Sequence, residues 1–339
     1  MAIPSHAIIL ATYNGAEHLP AQLSSLQEQA ATRWRLYVRD DGSSDDTLGI
    51  LRSAATADPR ITILPSDGQR LGPSASFAKL LAHCQRVGES YVFPCDQDDV
   101  WYPNKTTSML AALCDHEVRF GREMPVLIHS DLRVVEFDLR LLHPSFARRQ
   151  RLPSMEKRTA RQLLFQNRVT GCASLVNQAL LKHALPMPKV VMHDWWLAQC
   201  AALFGAIIYL DEPTVAYRQH TANAVGSQLP LDTALQIARS PESWWRKYEE
   251  NFLLGVRQLS ALRARVRGTQ IGVDADMLKA IDEVLDALTN RDYSRLERIR
   301  KIARLDVAPE RVLQRLALFF KVLLIADPVA PNGRIRGDD

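Results

Sequence analysis

Short, wholly apolar runs alternate with amphipathic segments along the first half of the chain. Ala7-Ile8-Ile9-Leu10, Leu36-Tyr37-Val38, Ile61-Thr62-Ile63-Leu64, Tyr91-Val92-Phe93 and Val126-Leu127-Ile128 read as buried strands. Helical patterns fall between the first four, near 17–30, 45–57 and 74–86, and another follows the fourth near 103–116. This alternation predicts an α/β fold with a mainly parallel sheet and helices on both faces. In such sheets ligands bind beyond the carboxyl ends of the strands, so the polar residues closing each run are the ones to examine.

The pattern then changes. A basic stretch from Arg148 to Arg161 leads into Asn167-Arg168-Val169-Thr170-Gly171-Cys172-Ala173. A helix is expected to begin at Asp194, followed by a strand at Ala206–Leu210 and then Tyr217-Arg218-Gln219-His220. From about 231 the pattern is helical, with basic residues among leucines. We therefore expect a catalytic domain over 1–228 and a helical C-terminal region over 229–339. The segment Arg311–Ile325 is apolar over most of its circumference, with basic residues at 311, 315 and 321. Two readings stay open for it: a core helix packed on the catalytic domain, or a peripheral anchor on an anionic membrane.

Composition narrows the class more than the chemistry. An apolar share of 47% with 24% charged residues is that of an ordinary globular protein. No uninterrupted apolar stretch reaches the ~20 residues that span a bilayer. Five scattered cysteines show no CxxC or Cys/His spacing, which argues for reduced, buried thiols. With no basic segment before the first apolar run, a cytoplasmic location is expected, at most peripheral on the inner face of the cell membrane. The net charge of +4 gives no reason to expect a nucleic-acid partner.

Three strands run into polar segments that suggest one shared pocket: Thr12-Tyr13-Asn14-Gly15, Arg39-Asp40-Asp41-Gly42-Ser43-Ser44-Asp45-Asp46, and Cys95-Asp96-Gln97-Asp98-Asp99. The second is also a good turn-and-cap sequence, and Asp45 and Asp46 read as capping residues. The third is harder to explain structurally. Three carboxylates in four residues repel one another unless a cation or donors neutralise them. Hard divalent ions take few protein carboxylates and share the remaining coordination with phosphate oxygens, so a metal–diphosphate site fits. Lys105 follows on the next helix, either pairing with the acids or facing solvent.

Together with Thr170-Gly171-Cys172, His193-Asp194-Trp195-Trp196 and Tyr217-Arg218-Gln219-His220, these motifs resemble the family 2 glycosyltransferases of GT-A fold. Within that family the likeness is greatest to bacterial rhamnosyltransferases of surface-polysaccharide assembly, and it covers about residues 5–226. The resemblance implies a divalent metal, Mg²⁺ or Mn²⁺, and a nucleotide-sugar donor, with dTDP-L-rhamnose its choice. The acceptor it implies is a saccharide or a polyprenyl-linked saccharide. It places Thr12, Asn14 and Asp41 at the nucleotide, Asp96 near the ribose and Asp98 on the metal. Lys105, Arg218 and His220 join the donor site, His220 also as a metal ligand in the late loop that closes over the diphosphate. Arg70, in the glycine-containing loop 69–77, matches a phosphate contact only loosely. Asp194 matches the catalytic base of inverting members.

Blander readings stand beside these. Asp194 also suits a helix cap, His193 a packed histidine, and Trp195 and Trp196 core positions. Two other functions compete. A nucleotidyltransferase also places acids after parallel strands, but it needs a glycine-rich basic loop after the first strand, which Thr12–Glu17 lacks. A non-catalytic carbohydrate-binding module explains the tryptophans but not the clustered carboxylates.

Overall fold

The computed structural model describes residues 3–66, 68–150, 160–219, 240–269, 271–305, 307 and 312–324. It divides into two compact units. One comprises Met1–Glu156, Val169–Met187 and Met192–Thr221; the other comprises Lys157–Arg168, Pro188–Val191 and Ala222–Asp339.

The first unit carries the predicted alternation: β1 (His6–Thr12), α1 (Leu19–Gln27), β2 (Trp34–Asp40), α2 (Thr47–Ala57), β3 (Ile61–Ile63), α3 (Pro73–Val87) and β4 (Tyr91–Cys95). Next come β5 (Val100–Trp101), α4 (Lys105–Phe120), β6 (Val126–Val135), β7 (Leu141–His143) and α5 (Phe146–Arg149). After a 3₁₀ turn at Gly171–Ala173 follow β8 (Ser174–Asn177), α6 (Gln178–Ala184), α7 (His193–Phe204) and β9 (Ala206–Arg218). The sheet order is β3-β2-β1-β4-β8-β6-β9-β5, with β7 on β6. Strands β1, β2, β3 and β4 pair in parallel, as do β6 and β9. The short β8 runs antiparallel between β4 and β6 and joins the two parallel parts. Apolar side chains from β1, β2, β4 and β6, with Leu19, Leu23, Leu26, Trp101, Met109 and Leu113, form the core.

Two departures from the pattern shape the pocket. Strand β8 pairs with β4 only at Tyr91 and Val92, so β4 has an open edge beyond them, where Pro94 is tolerated. Strand β9 does not stop at Leu210. Its register against β6 shifts at Ser130–Leu132, passing over Asp211 and Glu212, and it then continues to Arg218. Such bulges bend a strand and re-aim its end. Here the far half of β9 takes β5 as a second neighbour, with Val100 opposite Ala216 and Trp101 opposite Val215.

In the second unit a 3₁₀ turn (Ala160–Leu164) precedes α8 (Pro241–Arg265), α9 (Ala275–Thr289), α10 (Arg295–Arg304) and α11 (Val312–Leu324). Helix α9 buries Met277, Ala280, Ile281, Val284 and Leu288, the spacing of one helical face. Ser294 and Glu297 form a capping box on α10. Helix α11 is buried on one side only. Leu318 and Val322 are buried, while Leu316, Phe320 and Leu324 form an exposed stripe four residues apart. Lys321 does not join a basic face: its ammonium lies 4.1 Å from the centre of the Tyr248 ring, and burial lowers its pKa to about 8. Arg311 lies outside the described residues. Among the described residues no helix is long and apolar enough to cross a membrane.

Candidate active site

Parallel pairing of β1 with β2 and β4 brings Thr12, Asp40 and Cys95 to one edge of the sheet. The loops that leave this edge are laced together by side chains. The Thr12 hydroxyl donates to Asp40 Oδ1 (2.9 Å), and the remaining acceptor sites of Asp40 take the Gly42 and Ser43 backbone N–H groups and the Ser43 hydroxyl. Asn14, at φ 47°, takes up the left-handed backbone that Asn tolerates better than most residues. Its N–H donates to Ser43 Oγ, and its Oδ1 accepts from Ser44 N–H. Asp45 accepts from Ala16 N–H and from both donors of Thr47, so it is the acid that organises the start of α2. Asp46 stands at the N-cap position without a side-chain capping bond.

Asp41 is fully engaged within the protein. Its carboxylate accepts from the Arg39 guanidinium (2.5 Å), Leu71 N–H (2.8 Å) and Gly72 N–H (2.8 Å), and all of it is buried. Burial alone disfavours the charge, but those donors outweigh it and hold the pKa below the ordinary carboxylate range. Arg39 also reaches Ser76 Oγ and Gln69 O, which fastens loop 69–72 to the end of β2. Arg70 lies on the face of Tyr13, its guanidinium carbon 3.9 Å from the ring centre.

The Asp96–Asp99 segment behaves differently. Gln97, the residue between its acids, bonds both backbone groups of Tyr13: Tyr13 N–H donates to Oε1 (2.9 Å) and Nε2 donates to Tyr13 O (3.0 Å). Gly15 leaves room for this, since a Cβ there would lie 2.2 Å from Gln97 Oε1. Asp96 is half-buried and its pKa is raised to about 7, by burial first and then by the charges of Asp98 and Asp194. Asp99 is wholly buried and is pushed up by burial, Asp98 and Asp96. Its Oδ1 accepts Arg218 N–H (3.2 Å), while its Oδ2 has no hydrogen-bond partner.

Lys105 is a buried cation beside these acids. Its ammonium donates to the Cys172 carbonyl, stacks over Trp101 at 3.8 Å and has a pKa lowered to about 8 by burial. Lys105 does not face solvent; its ammonium bonds a backbone carbonyl, and the acids act on it through their charge.

Asp194 approaches from the other side of the cluster. Helix α7 starts one residue earlier than expected, with Met192 as N-cap, so Asp194 lies inside the first turn. Its Oδ2 accepts Gly171 N–H (3.0 Å) and its Oδ1 accepts Trp195 N–H (2.7 Å). His193 is stacked on Phe77 with ring centres 4.0 Å apart, and burial lowers its pKa to about 3, so it is neutral at pH 7. Trp196 is buried and donates to Ala184 O, whereas Trp195 is half-buried. The re-aimed end of β9 delivers Arg218: its Nε donates to Asp98 O (2.8 Å), and its Nη1 donates to Phe137 O. The structure thus gathers Asp96, Asp98, Asp194, Lys105 and Arg218 at one place, and Thr12, Asn14 and Asp41 in the adjoining loops. His220 lies outside the described residues.

The residues fit a divalent cation. Single ligand atoms of Asp96, Asp99 and Cys172 lie within 4.8 Å of one another, one Asp99 oxygen is buried without a partner, and the raised Asp96 pKa marks uncompensated negative charge. Sequence reasoning passed over Gln97, Gly15 and the burial of Lys105. A glutamine inside an acidic motif gives no pattern signal, and a lysine at the start of a helix reads as solvated.

A mixed, mostly parallel sheet with helices and with acids at the carboxyl ends of its parallel strands is the architecture of the GT-A glycosyltransferases. The same fold is found in S. aureus TarS 1–349 in complex with UDP-GlcNAc (TM-score 0.54, 17% identity, 94% of this chain and 82% of that one). It is found again in the mannosyltransferase PcManGT from Pyrobaculum calidifontis in complex with GDP-Man and Mn²⁺ (TM-score 0.53, 15% identity, 96% and 81%). Residues 7–173 match the glycosyl transferase family 2 model, and through them the chain belongs to family 2 of the glycosyltransferases. Among curated relatives, the dTDP-rhamnosyl transferase RfbG of Shigella flexneri is 24% identical over 249 residues, 70% of this chain and 81% of the relative. The UDP-Glc:alpha-D-GlcNAc-diphosphoundecaprenol beta-1,3-glucosyltransferase WfgD of Escherichia coli is 26% identical over 191 residues, 56% of this chain and 67% of that one. The nucleotidyltransferase and carbohydrate-binding readings give way to this assignment.

Proposed function

We propose that this glycosyltransferase is an inverting enzyme that transfers L-rhamnose from dTDP-L-rhamnose to a saccharide or lipid-linked saccharide in surface-polysaccharide synthesis. It would work on the cytoplasmic side of the membrane. The observation that carries the inverting mechanism is the convergence of Asp194 with Asp96 and Asp98, close enough that the charges of Asp98 and Asp194 raise the Asp96 pKa. The relationship to the Shigella flexneri dTDP-rhamnosyl transferase supports the donor, and the Escherichia coli relative supports a lipid diphosphate acceptor.

In this reading Asp194 takes the proton from the acceptor hydroxyl as that oxygen attacks the anomeric carbon. The Gly171 and Trp195 N–H groups fix its orientation, so position supplies much of its effect. Asp98, with His220, would hold the divalent cation, which when bound would offset charge on the departing nucleoside diphosphate, and Asp96 would lie near the ribose. Arg218 and His220 add positive charge on that side. Thr12, Asn14 and Asp41 shape the nucleotide end, where Asp41 acts through the Arg39 pair and the backbone of Leu71 and Gly72. The exposed stripe of α11 supports peripheral binding to an anionic membrane.

Asp194→Asn keeps the shape but only one of the two acceptor oxygens that take the Gly171 and Trp195 N–H groups, and it cannot take the proton. We expect a stability loss of about 1–3 kcal/mol from the unpaired N–H, unchanged donor affinity, and transfer slowed by about 10²–10⁴. Turnover within about threefold of the parent at equal donor affinity would remove Asp194 as the base. Product analysis with dTDP-, UDP- and GDP-sugars tests the donor separately.

A further inference from the structure

Scattered exposed leucines on a protein surface need no explanation, but a contiguous cluster does. Of the eleven large apolar side chains exposed among the described residues, four lie at one turn: Phe137, Leu139, Leu141 and Leu142, between β6 and β7. The turn is closed by Leu139 N–H to Glu136 O (3.0 Å) and Glu136 N–H to Arg140 O (2.9 Å). Its geometry puts Leu139 at φ 69°. That left-handed position is the place for Gly or Asn in a hairpin, and an ordinary side chain there costs about 1 kcal/mol. The chain thus keeps a leucine where the backbone disfavours it and where 42% of its surface stays exposed.

The turn borders the candidate active site. The Phe137 carbonyl accepts from Arg218, and the Phe137 ring meets His18, the N-cap residue of α1, at 5.2 Å between ring centres. Arg140 is ion-paired with Glu136 within the turn, beside Asp138; exposed Arg133 lies over the Tyr102 ring and exposed Arg148 and Arg149 follow on α5, so arginines outnumber acids in this stretch. A stable dimer needs about 800 Å² buried on each partner, far more than a six-residue tip presents. A small apolar tip with arginines around it suits a bilayer interface, where apolar side chains enter the headgroup boundary and the cations meet lipid phosphates.

We propose that the turn Phe137–Leu142 is a membrane-contacting lip that enters the interface of an anionic bilayer and sets the mouth of the site against it. The delivery of a lipid-linked acceptor to that mouth rests on the proposed function; binding of the lip to vesicles does not.

The test is co-sedimentation of the full chain with phosphatidylcholine vesicles, with and without phosphatidylglycerol. The parent is compared with a Leu139→Asn, Leu141→Thr, Leu142→Thr variant and with a Leu316→Ser, Phe320→Ser variant of α11. The lip variant should lose about tenfold or more in partitioning onto the anionic vesicles, even with α11 intact. It should keep its melting temperature, since Asn accepts the left-handed position. It should also keep transfer to a soluble acceptor, which needs no membrane. Three results would overturn the proposal: no vesicle binding by the parent, equal binding by parent and lip variant, or equal binding to purely neutral vesicles. Loss of a parent dimer in the lip variant, without vesicle binding, would assign the turn to self-association instead. Absence of any sugar transfer by the parent would count against the proposed function and leave the vesicle result standing.

Discussion

The two acidic loops at the sheet edge look alike in sequence and differ in physical state. In Asp40–Asp46, Asp40, Asp41 and Asp45 find donors within the protein: backbone N–H groups, hydroxyls and, for Asp41, the Arg39 guanidinium. In Asp96–Asp99 the acids face one another, and burial and mutual repulsion push Asp96 to about 7 and Asp99 well up, with one Asp99 oxygen left unpartnered. The first loop is a scaffold that has consumed its charges. The second holds charge in reserve for something that binds. Acid content alone does not mark a site; acids crowded together, with a buried oxygen left without a donor, do.

This contrast is open to attack by substitution. Asp41→Asn leaves Arg39 buried without its counter-ion, and we expect a loss of about 3–5 kcal/mol in unfolding free energy, measured by urea denaturation. Lys105→Met is expected to cost nearly as much, about 3 kcal/mol, because the Cys172 carbonyl loses its donor and Asp96 and Asp99 lose a cation whose charge they feel. Asp98→Ala should do the opposite. It relieves the repulsion on Asp96 and Asp99, so stability should hold or rise by up to about 1 kcal/mol, while metal-dependent binding of nucleoside diphosphate is lost. If Asp98→Ala destabilised as much as Asp41→Asn, the two loops would be equivalent and the distinction would collapse.

Acid and alkali should separate the loops as well. Asp41 has a lowered folded-state pKa, so its stabilisation is complete above the model-peptide value of 3.8 and is lost as pH falls through the folded value below it. Asp96 has a raised pKa, so the folded state binds more protons than the unfolded state between 3.8 and about 7, and stability declines as pH rises through that window. A thermal-stability profile of the metal-free protein should show this decline, and Asp98→Ala should flatten it. The smallest effect is expected from Gly15→Ala. Its Cβ would displace Gln97 from Tyr13, at a cost of about 1 kcal/mol with a modest loss of donor affinity.

Much of the fold was legible because buried parallel strands are short apolar runs closed by polar residues. β1, β2, β3, β4 and β6 all lie where the pattern puts them. Strand β8 escaped notice because it is four residues long and follows directly on the Thr170-Gly171-Cys172 motif. The second half of β9 escaped because Asp211-Glu212-Pro213 reads as a loop, whereas a bulge carries the strand across it. That continuation is what brings Arg218 to Asp98 and Asp99, a relation no local pattern contains. Nor does spacing reveal which acids are already satisfied. Asp41's partners, Leu71 and Gly72, lie thirty or so residues away and contribute only backbone N–H groups, so their chemistry is invisible in the sequence.

The claim that the second loop holds uncompensated charge is tested most directly by titrating the Asp96 carboxyl itself. Protein labelled with carbon-13 at aspartate carboxyls, with the Asp96 signal assigned by its loss in Asp96→Asn, would be followed by NMR across pH with and without Mg²⁺ and nucleoside diphosphate. The account predicts a midpoint near 7 in the metal-free protein, moving down by at least about one unit when the cation binds. A midpoint near 3.8 that does not respond to Mg²⁺ would contradict it.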